Sequence, residues 1–389
     1  MDIKRRQGIN RAPQFFQPGL CWAPAVVQRG NLACDLTGKP RIPSISNGIV
    51  EAVRICSIPW LLLASWVFLA HSPSSQCVAP SGYYDLAEGK SEAELRQALH
   101  QVIRSHRVIP YSSGTRFDTS DALKVLDQDP ANTNNVIGIY SRQSESSASF
   151  GLATGWNREH LWCDSYGLEG REPAYSDLHN LRAEDANVNS ARGNKLFDIS
   201  DTNSPGYRMP AHAKALLAST DSDSWEPPAS VKGDIARAIF YMTTRYTGDV
   251  GNEPALYLTD ATGQITSTTN LMGRFNTLLK WHLADPVDAA EQVRNDRVYA
   301  YQTNRNPFID HPAWVVAAFI PPVNIVRIGA YVVVQWTNGY APTMVAEQAT
   351  ELLPAWLPLT NAPTLTATNT WAITLPLESG TRYFRLRVR

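Results

Sequence analysis

Residues 157–194 read NREHLWCDSYGLEGREPAYSDLHNLRAEDANVNSARGN. Two His, seven carboxylates, five Asn and four Arg fall within this one segment, among few aliphatic residues. A core segment does not look like this. A disordered tail does not either, because Trp162, Leu178, Leu181 and Val188 give it anchors. Arg158-Glu159-His160 sets a carboxylate beside an imidazole, and Asn187-Val188-Asn189 adds amides some thirty residues on, followed by Arg192, Gly193 and Asn194. An imidazole works as a general base near neutral pH. A carboxylate and an amide oxygen can share a hard cation such as Mg²⁺, which keeps several waters and needs few protein ligands when a phosphate supplies the rest. A guanidinium can hold a phosphate oxygen through a charge-assisted hydrogen bond. Together these groups suit hydrolysis of a phosphodiester.

The elements around the segment must position it. Residues 91–107 carry Leu95, Leu99, Val102 and Ile103 on one stripe, with Ser91 and Glu94 spaced as a capping box, so a helix is predicted there. A short apolar run, VIGIY at 136–140, predicts a strand. Helices are predicted over 231–246, 271–283 and 287–303, and the run NRNPFIDHP at 304–312 breaks regularity with two prolines. Arg237 and Arg245 lie about two turns apart and share one side of their helix; a solvated face and a phosphate clamp both fit that spacing. Beyond about residue 318 the texture changes to alternating stretches such as YVVVQW, WAITLPL and TRYFRLRVR, which predict a small all-β module. The three tryptophans there, Trp336, Trp356 and Trp371, are read as its core. The fold class is thus α+β: a mostly helical body followed by a small all-β module.

Four motifs carry a resemblance to a known family: WNREHLW at 156–162, SDLHNLRAEDANVNSARGN at 176–194, GDIARAIFYM at 233–242 and NRNPFIDHP at 304–312. Over roughly residues 82–315 the chain resembles the endonuclease I family of secreted bacterial nucleases, of the ββα-metal (His-Me finger) group. The resemblance implies a ββα-metal motif, with the base on a β-ribbon and a ligand Asn on the following helix. It implies His160 as general base and Glu159 and Asn189 as metal ligands, with Mg²⁺ as the ion and Mn²⁺ or Ca²⁺ as alternatives. Arg192 is set beside His160 as a catalytic candidate. Asn180, Asn194, Arg158 and Arg237 are candidates for binding substrate or supporting the site. Many relatives have Pro where this chain has Cys163. Adjacent strand residues point to opposite faces, so Glu159 and His160 serve one site only if the strand end twists or they flank the phosphate.

Composition bounds the rest. The 389 residues suffice for two domains. The formal net charge of −1 excludes a protein that holds nucleic acid by bulk electrostatics, so any such contact must come from a local patch. Residues 58–70, IPWLLLASWVFLA, are too short for a comfortable membrane span and read as a signal-peptide core, with cleavage near Ser72. The expected organisation is a non-native or disordered extension over 1–48, a signal peptide over 49–72, a nuclease domain over 73–318 and a fibronectin-like module over 322–389. The mature chain then has no transmembrane span, carries 27 Lys+Arg against 33 Asp+Glu, and is secreted or periplasmic. Of the five cysteines, Cys77 and Cys163 remain, and a disulfide between them is open.

Other readings stand beside this one. His160, Cys163 and His179 have zinc-like spacing but lack a fourth ligand; His179 reads better as a structural histidine. Asp310-His311 is read as loop packing rather than a second acid–base pair. The expected activity is metal-dependent endonuclease cleavage of DNA, and also RNA, with low sequence preference. The competing function is a non-catalytic nucleic-acid or surface-binding protein on a nuclease-like scaffold. The partner of the C-terminal module is unassigned.

Overall fold

The computed structural model describes residues 79–389, apart from 267, 338–343, 351–355, 368–369 and 389. The extension, the signal peptide and Cys77 lie outside the described residues. Eight helices follow in order: α1 (Glu92–Ile103), α2 (Thr119–Leu126), α3 (Ala186–Arg192), α4 (Lys232–Arg245), α5 (Phe275–Ala284), α6 (Ala289–Gln302), α7 (Pro307–Asp310) and α8 (Ala313–Phe319). A three-stranded sheet is built from β1 (Gln128–Asp129), β2 (Asn132–Ile137) and β3 (Ser144–Ser146). An antiparallel ribbon pairs β4 (Trp156–His160) with β5 (Leu181–Asp185). Two further small sheets join β6 (Leu196–Phe197), β7 (Ser219–Thr220) and β8 (Ser224–Glu226), then β9 (Tyr257–Leu258) and β10 (Leu271–Met272). The fold is mixed α+β, with several small sheets rather than one large one.

The predicted helices form, with shifted ends. α1 begins after Ser91, but the Ser91 side chain makes no capping bond. The full capping box sits instead on α2, where Asp118 accepts from the Ser120 and Asp121 amides. Of the strand predicted at 136–140, only Val136 and Ile137 pair, within β2. The first residues of the predicted 271–283 helix form β10, and α5 starts at Phe275. Asn306 caps the short α7, its side chain accepting from the Phe308 amide, so the proline-broken run is a helix start.

Helix α4 is the spine. All its residues from Ile235 to Arg245 are buried. Ile235, Ile239, Phe240 and Met242 join the main core with Phe275, Leu278, Trp281, Phe308 and Phe319. Arg237 and Arg245 do not lie on a solvated face. Arg237 forms a two-pronged pair with Glu291 at 2.7 and 2.5 Å. Arg245 pairs with Glu253 at 2.6 and 2.9 Å. Asp310 accepts from Arg305, Tyr84 and Asn295, which is the loop packing read from the sequence. Among the described residues no helix is long and apolar enough to cross a membrane.

The C-terminal region is all-β. One sheet runs in the order β11 (Asn324–Ile328), β12 (Tyr331–Thr337), β16 (Thr370–Pro376), β15 (Thr364–Ala367); the other in the order β14 (Leu357–Pro358), β13 (Met344–Ala349), β17 (Tyr383–Val388). Val334, Trp336, Ala346, Ile373 and Leu375 fill its core, with Trp371 packed at the edge. Trp356 is half-buried, and Arg385 lies over its ring at 4.4 Å.

Buried His179 gives the body a pH dependence. Its Nε2 faces the Asn304 carbonyl at 3.3 Å, and burial drives its pKa down from 6.5 to about 4; His282 is driven to about 4 by burial as well. A histidine depressed in the folded state stabilises fully above its unfolded pKa and loses that contribution as pH falls through the folded one. Unfolding free energy should therefore fall between about pH 6.5 and 4, by up to about 3 kcal/mol from His179. Urea titrations at pH 7 and 4.5 check this: the slope should be shallower in His179→Gln, and an unchanged slope would remove His179 as its source.

Candidate active site

The cleft forms where the β4–β5 ribbon meets α3. Asp185 ends β5 and caps α3, accepting from the Asn187 and Val188 amides, so the helix starts without an intervening loop. Gly193, at φ +55°, ends the helix after seven residues and turns Asn194 onto the rim. The cleft of about 250 Å³ is lined by residues that include Asn157, Arg158, Glu159, His160, Asp164, Asn189, Arg192 and Asn194. A larger cavity of about 490 Å³ lies between α5, α8 and β17, but its apolar lining with Lys280 and Arg385 offers no acid, amide or imidazole.

Of the eight candidates from the sequence, six line the cleft. Asn180 does not, but it supports it: its amide accepts from the Trp162 N–H at 2.6 Å and donates to the Trp162 carbonyl at 3.1 Å, pinning the chain just past β4. Arg237 is not brought to the cleft; its guanidinium is spent on Glu291 and the Asp285 carbonyl. His160 is the last residue of β4, so it and Glu159 reach one cleft despite the alternation of strand side chains.

Glu159 is 2% exposed. Its Oε1 accepts from Tyr140 Oη at 2.5 Å and Arg192 Nη1 at 2.9 Å, while Oε2 carries no hydrogen bond among the described residues. Burial raises the Glu159 pKa, with Arg192 and Tyr140 opposing the rise. Arg192, also buried, donates to the His160 and Leu161 carbonyls at 3.0 Å each. One guanidinium thus fixes both the carboxylate and the strand end.

His160 Nε2 lies 2.8 Å from the Tyr175 carbonyl. A carbonyl only accepts, so Nε2 carries the hydrogen. Nδ1 has no partner among the described residues, and burial lowers the ring's pKa, so the neutral ring offers a lone pair there. Tyr111 stacks on the ring at 5.6 Å and Tyr175 tilts against it at 4.8 Å. Asn189 Nδ2 donates to Asn157 Oδ1 at 2.8 Å and the Arg158 carbonyl at 3.1 Å, which leaves Asn189 Oδ1 as a free acceptor. Arg158 lies 3.7 Å over the Tyr111 ring and donates to Thr119 Oγ1 and Ser112 Oγ.

His179 points away, to Asn304, and no three His, Cys, Asp or Glu side chains converge as a metal cage among the described residues. Cys163 is buried and bonded to no cysteine among the described residues, and burial pushes its thiol up to about 12. Tyr111, Tyr140, Asp164 and Tyr175 were not singled out in the sequence. Tyr175 fixes the His160 tautomer through its backbone carbonyl, which leaves no side-chain signal. Tyr140 reaches Glu159 from the apolar run VIGIY, where its hydroxyl is the one polar group.

Removing a partner from a buried ion pair leaves an uncompensated charge. Arg192→Met should cost about 3–5 kcal/mol by that rule. Tyr140→Phe, which removes one donor and keeps the ring, should cost about 1–2 kcal/mol. Chemical denaturation checks both; equal small losses would mean that Glu159 is not held as a buried charge.

Residues 91–313 match the family Endonuclease I. The chain is 42% identical over 279 residues to the extracellular ribonuclease of Bacillus amyloliquefaciens, a match covering 70% of this chain and 91% of that protein. It is 44% identical over 246 residues to the extracellular ribonuclease of Bacillus subtilis (strain 168), covering 62% and 80%. The matched range contains the whole ribbon, α3 and every residue of the cleft, and the chain belongs to the endonuclease I family: it is a nuclease, a phosphodiester hydrolase.

Proposed function

We propose that the chain is a secreted, metal-dependent endonuclease of low sequence specificity that hydrolyses RNA at least as readily as DNA, with His160 as its base. The order expected from the sequence put DNA first. Both relatives are named ribonucleases, which moves RNA at least level. Their names also support an extracellular place of work. We read the ribbon and α3 as the ββα-metal unit, residues 73–318 as the nuclease body and 322–389 as an appended module.

The observation that carries the reading is the hydrogen bond from His160 Nε2 to the Tyr175 carbonyl. It sets the tautomer and leaves Nδ1 free on the cleft that Glu159 and Asn189 share. Nδ1 takes a proton from water, whose oxygen then attacks phosphorus; the P–O bond to the leaving sugar oxygen breaks, and that oxygen takes up a proton from solvent. Stacking between Tyr111 and Tyr175 keeps the ring aimed and shields it from bulk water.

Members of this family generally need a metal ion. The donors fit a hard cation: Glu159 Oε2 and Asn189 Oδ1 are both oxygens, both unused by other bonds, on one cleft. Glu159 and Asn189 would hold a divalent cation there, and it would supply charge neutralisation at the phosphate and the leaving oxygen. Mg²⁺ suits two protein oxygens plus waters; Mn²⁺ and Ca²⁺ are the alternatives. Arg192 holds Glu159 rather than clamping phosphate, since three of its N–H groups are spent. Arg158, though its Nη1 and Nη2 each donate to the 111–119 loop, and Asn194 border the cleft, and we assign their remaining donors to substrate phosphate.

Purified protein incubated with single-stranded RNA and supercoiled plasmid in Mg²⁺ tests the proposal. EDTA should abolish cleavage of both, and His160→Ala should lower the rate about 10²–10⁴-fold. Cleavage that survives EDTA, or a rate unchanged in His160→Ala, would sink the mechanism. Binding without cleavage under any divalent ion would favour the non-catalytic nucleic-acid-binding protein.

A further inference from the structure

Loop 111–118 leaves the cleft at Tyr111 and ends at the Asp118 cap of α2. It is pinned along its length. Tyr111 O accepts from Arg158 and from Thr119 Oγ1, Ser113 N donates to Asp118 Oδ2 at 2.8 Å, and Arg116 N donates to Ser113 Oγ at 2.9 Å. This fixed loop turns an aromatic ring outward. Phe117 stacks on Tyr301 of α6, with centroids 5.1 Å apart and planes 24° apart, yet stays 43% exposed. No other ring or cation contacts it among the described residues.

Three arginines are close to that stack along the chain or through the backbone. Arg116 is the neighbour of Phe117. Arg297 lies one turn before Tyr301 on α6, on the same face, and donates one Nη1–H to the Val125 carbonyl at 2.7 Å. Arg107 donates its backbone N–H to the carbonyl of Gln302, the residue after Tyr301. None of the three has a carboxylate partner among the described residues. The nearby acids are committed elsewhere: Asp118 to its cap, Asp121 to Lys124 and Asp296 to Arg305. In a chain of net charge −1, this is a local positive patch with an aromatic face at its centre. Five residues of loop, 112–116, separate Phe117 from Tyr111 in the cleft, at most about 20 Å of chain. A strand of a few nucleotides spans that reach.

A stacking ring beside arginines that no carboxylate neutralises is how proteins hold single strands, because every base offers a π-face and the guanidiniums follow the backbone. We propose that Phe117, with Arg116, Arg297 and Arg107, forms a second binding site on this chain, for the bases and phosphates of single-stranded nucleic acid leaving the cleft. The site rests on the nuclease reading for its orientation and selects unpaired substrate. Bases in a duplex are stacked on each other and cannot reach the ring.

Fluorescence anisotropy of the full chain carrying His160→Ala tests this without cleavage. The probes are a fluorescein-labelled 12-nucleotide single strand and a hairpin duplex of the same composition. Phe117→Ala should weaken single-strand binding about five- to a hundredfold, with much less effect on the duplex. Phe117→Trp should restore it, which a role confined to packing α2 against α6 would not require. Arg116→Ala should reduce the slope of log K against log salt by about 0.7. Single-strand affinity unchanged in Phe117→Ala would overturn the site, and so would equal losses for strand and duplex, or a folded Phe117→Trp that fails to restore binding. A parent protein that binds the strand but never cuts it would instead overturn the nuclease reading and leave this site standing.

Discussion

The site depends on one buried charge. Glu159 sits at the end of a ribbon with almost no solvent, and a carboxylate cannot stay there unpaired. Arg192 answers it from the last turn of α3, and Tyr140 answers it from the other side. The same guanidinium binds the carbonyls of His160 and Leu161. The ion pair therefore sets the angle between ribbon and helix, the exit of the chain from β4, and the facing of Glu159 and Asn189. Its cost is desolvation of two charges, and loss of either partner destabilises the body by leaving the other charge uncompensated.

Around that pair the rest of the body works as a frame. Asn180 locks Trp162 from the far side of the ribbon. Arg294 reaches from α6 to Asp127 at 2.7 Å and to the Leu178 and Leu181 carbonyls, while Asp127 accepts from the Ala183 amide at 2.7 Å. Asp177 accepts from Tyr241 and Tyr246, so α4 holds the loop that brings Tyr175 to His160. These buried polar contacts explain why so few aliphatic residues occur between 157 and 194: the segment is held by hydrogen bonds more than by packing.

The residues that gather at the centre of the candidate site were legible in the sequence because they lie close together along the chain. His160 and Glu159 are adjacent, and Asn189 and Arg192 sit one turn apart on a helix that Asp185 caps. What spacing could not show was the partner of a charge. Arg237 and Arg245 share a helix side, as read, but Glu291 and Glu253 come from elsewhere in the chain and bury them. Periodicity gives the side a residue lies on and not what covers that side. The Tyr175 carbonyl was invisible for a different reason, since a backbone acceptor has no residue signature. Alternation identified the β module correctly, because period two persists along its strands whatever they pack against. The short body sheets were missed, since two-residue strands leave no period to read.

The central claim is that Glu159 Oε2 and Asn189 Oδ1 together hold one divalent cation beside His160. Calorimetric titration of the protein with Mn²⁺ measures it directly, without substrate. One site per chain is expected in the parent, lost in Glu159→Gln and in Asn189→Ala while both variants keep their fold, and retained in His160→Ala. Unchanged stoichiometry and affinity in the folded Glu159→Gln and Asn189→Ala proteins would contradict the account.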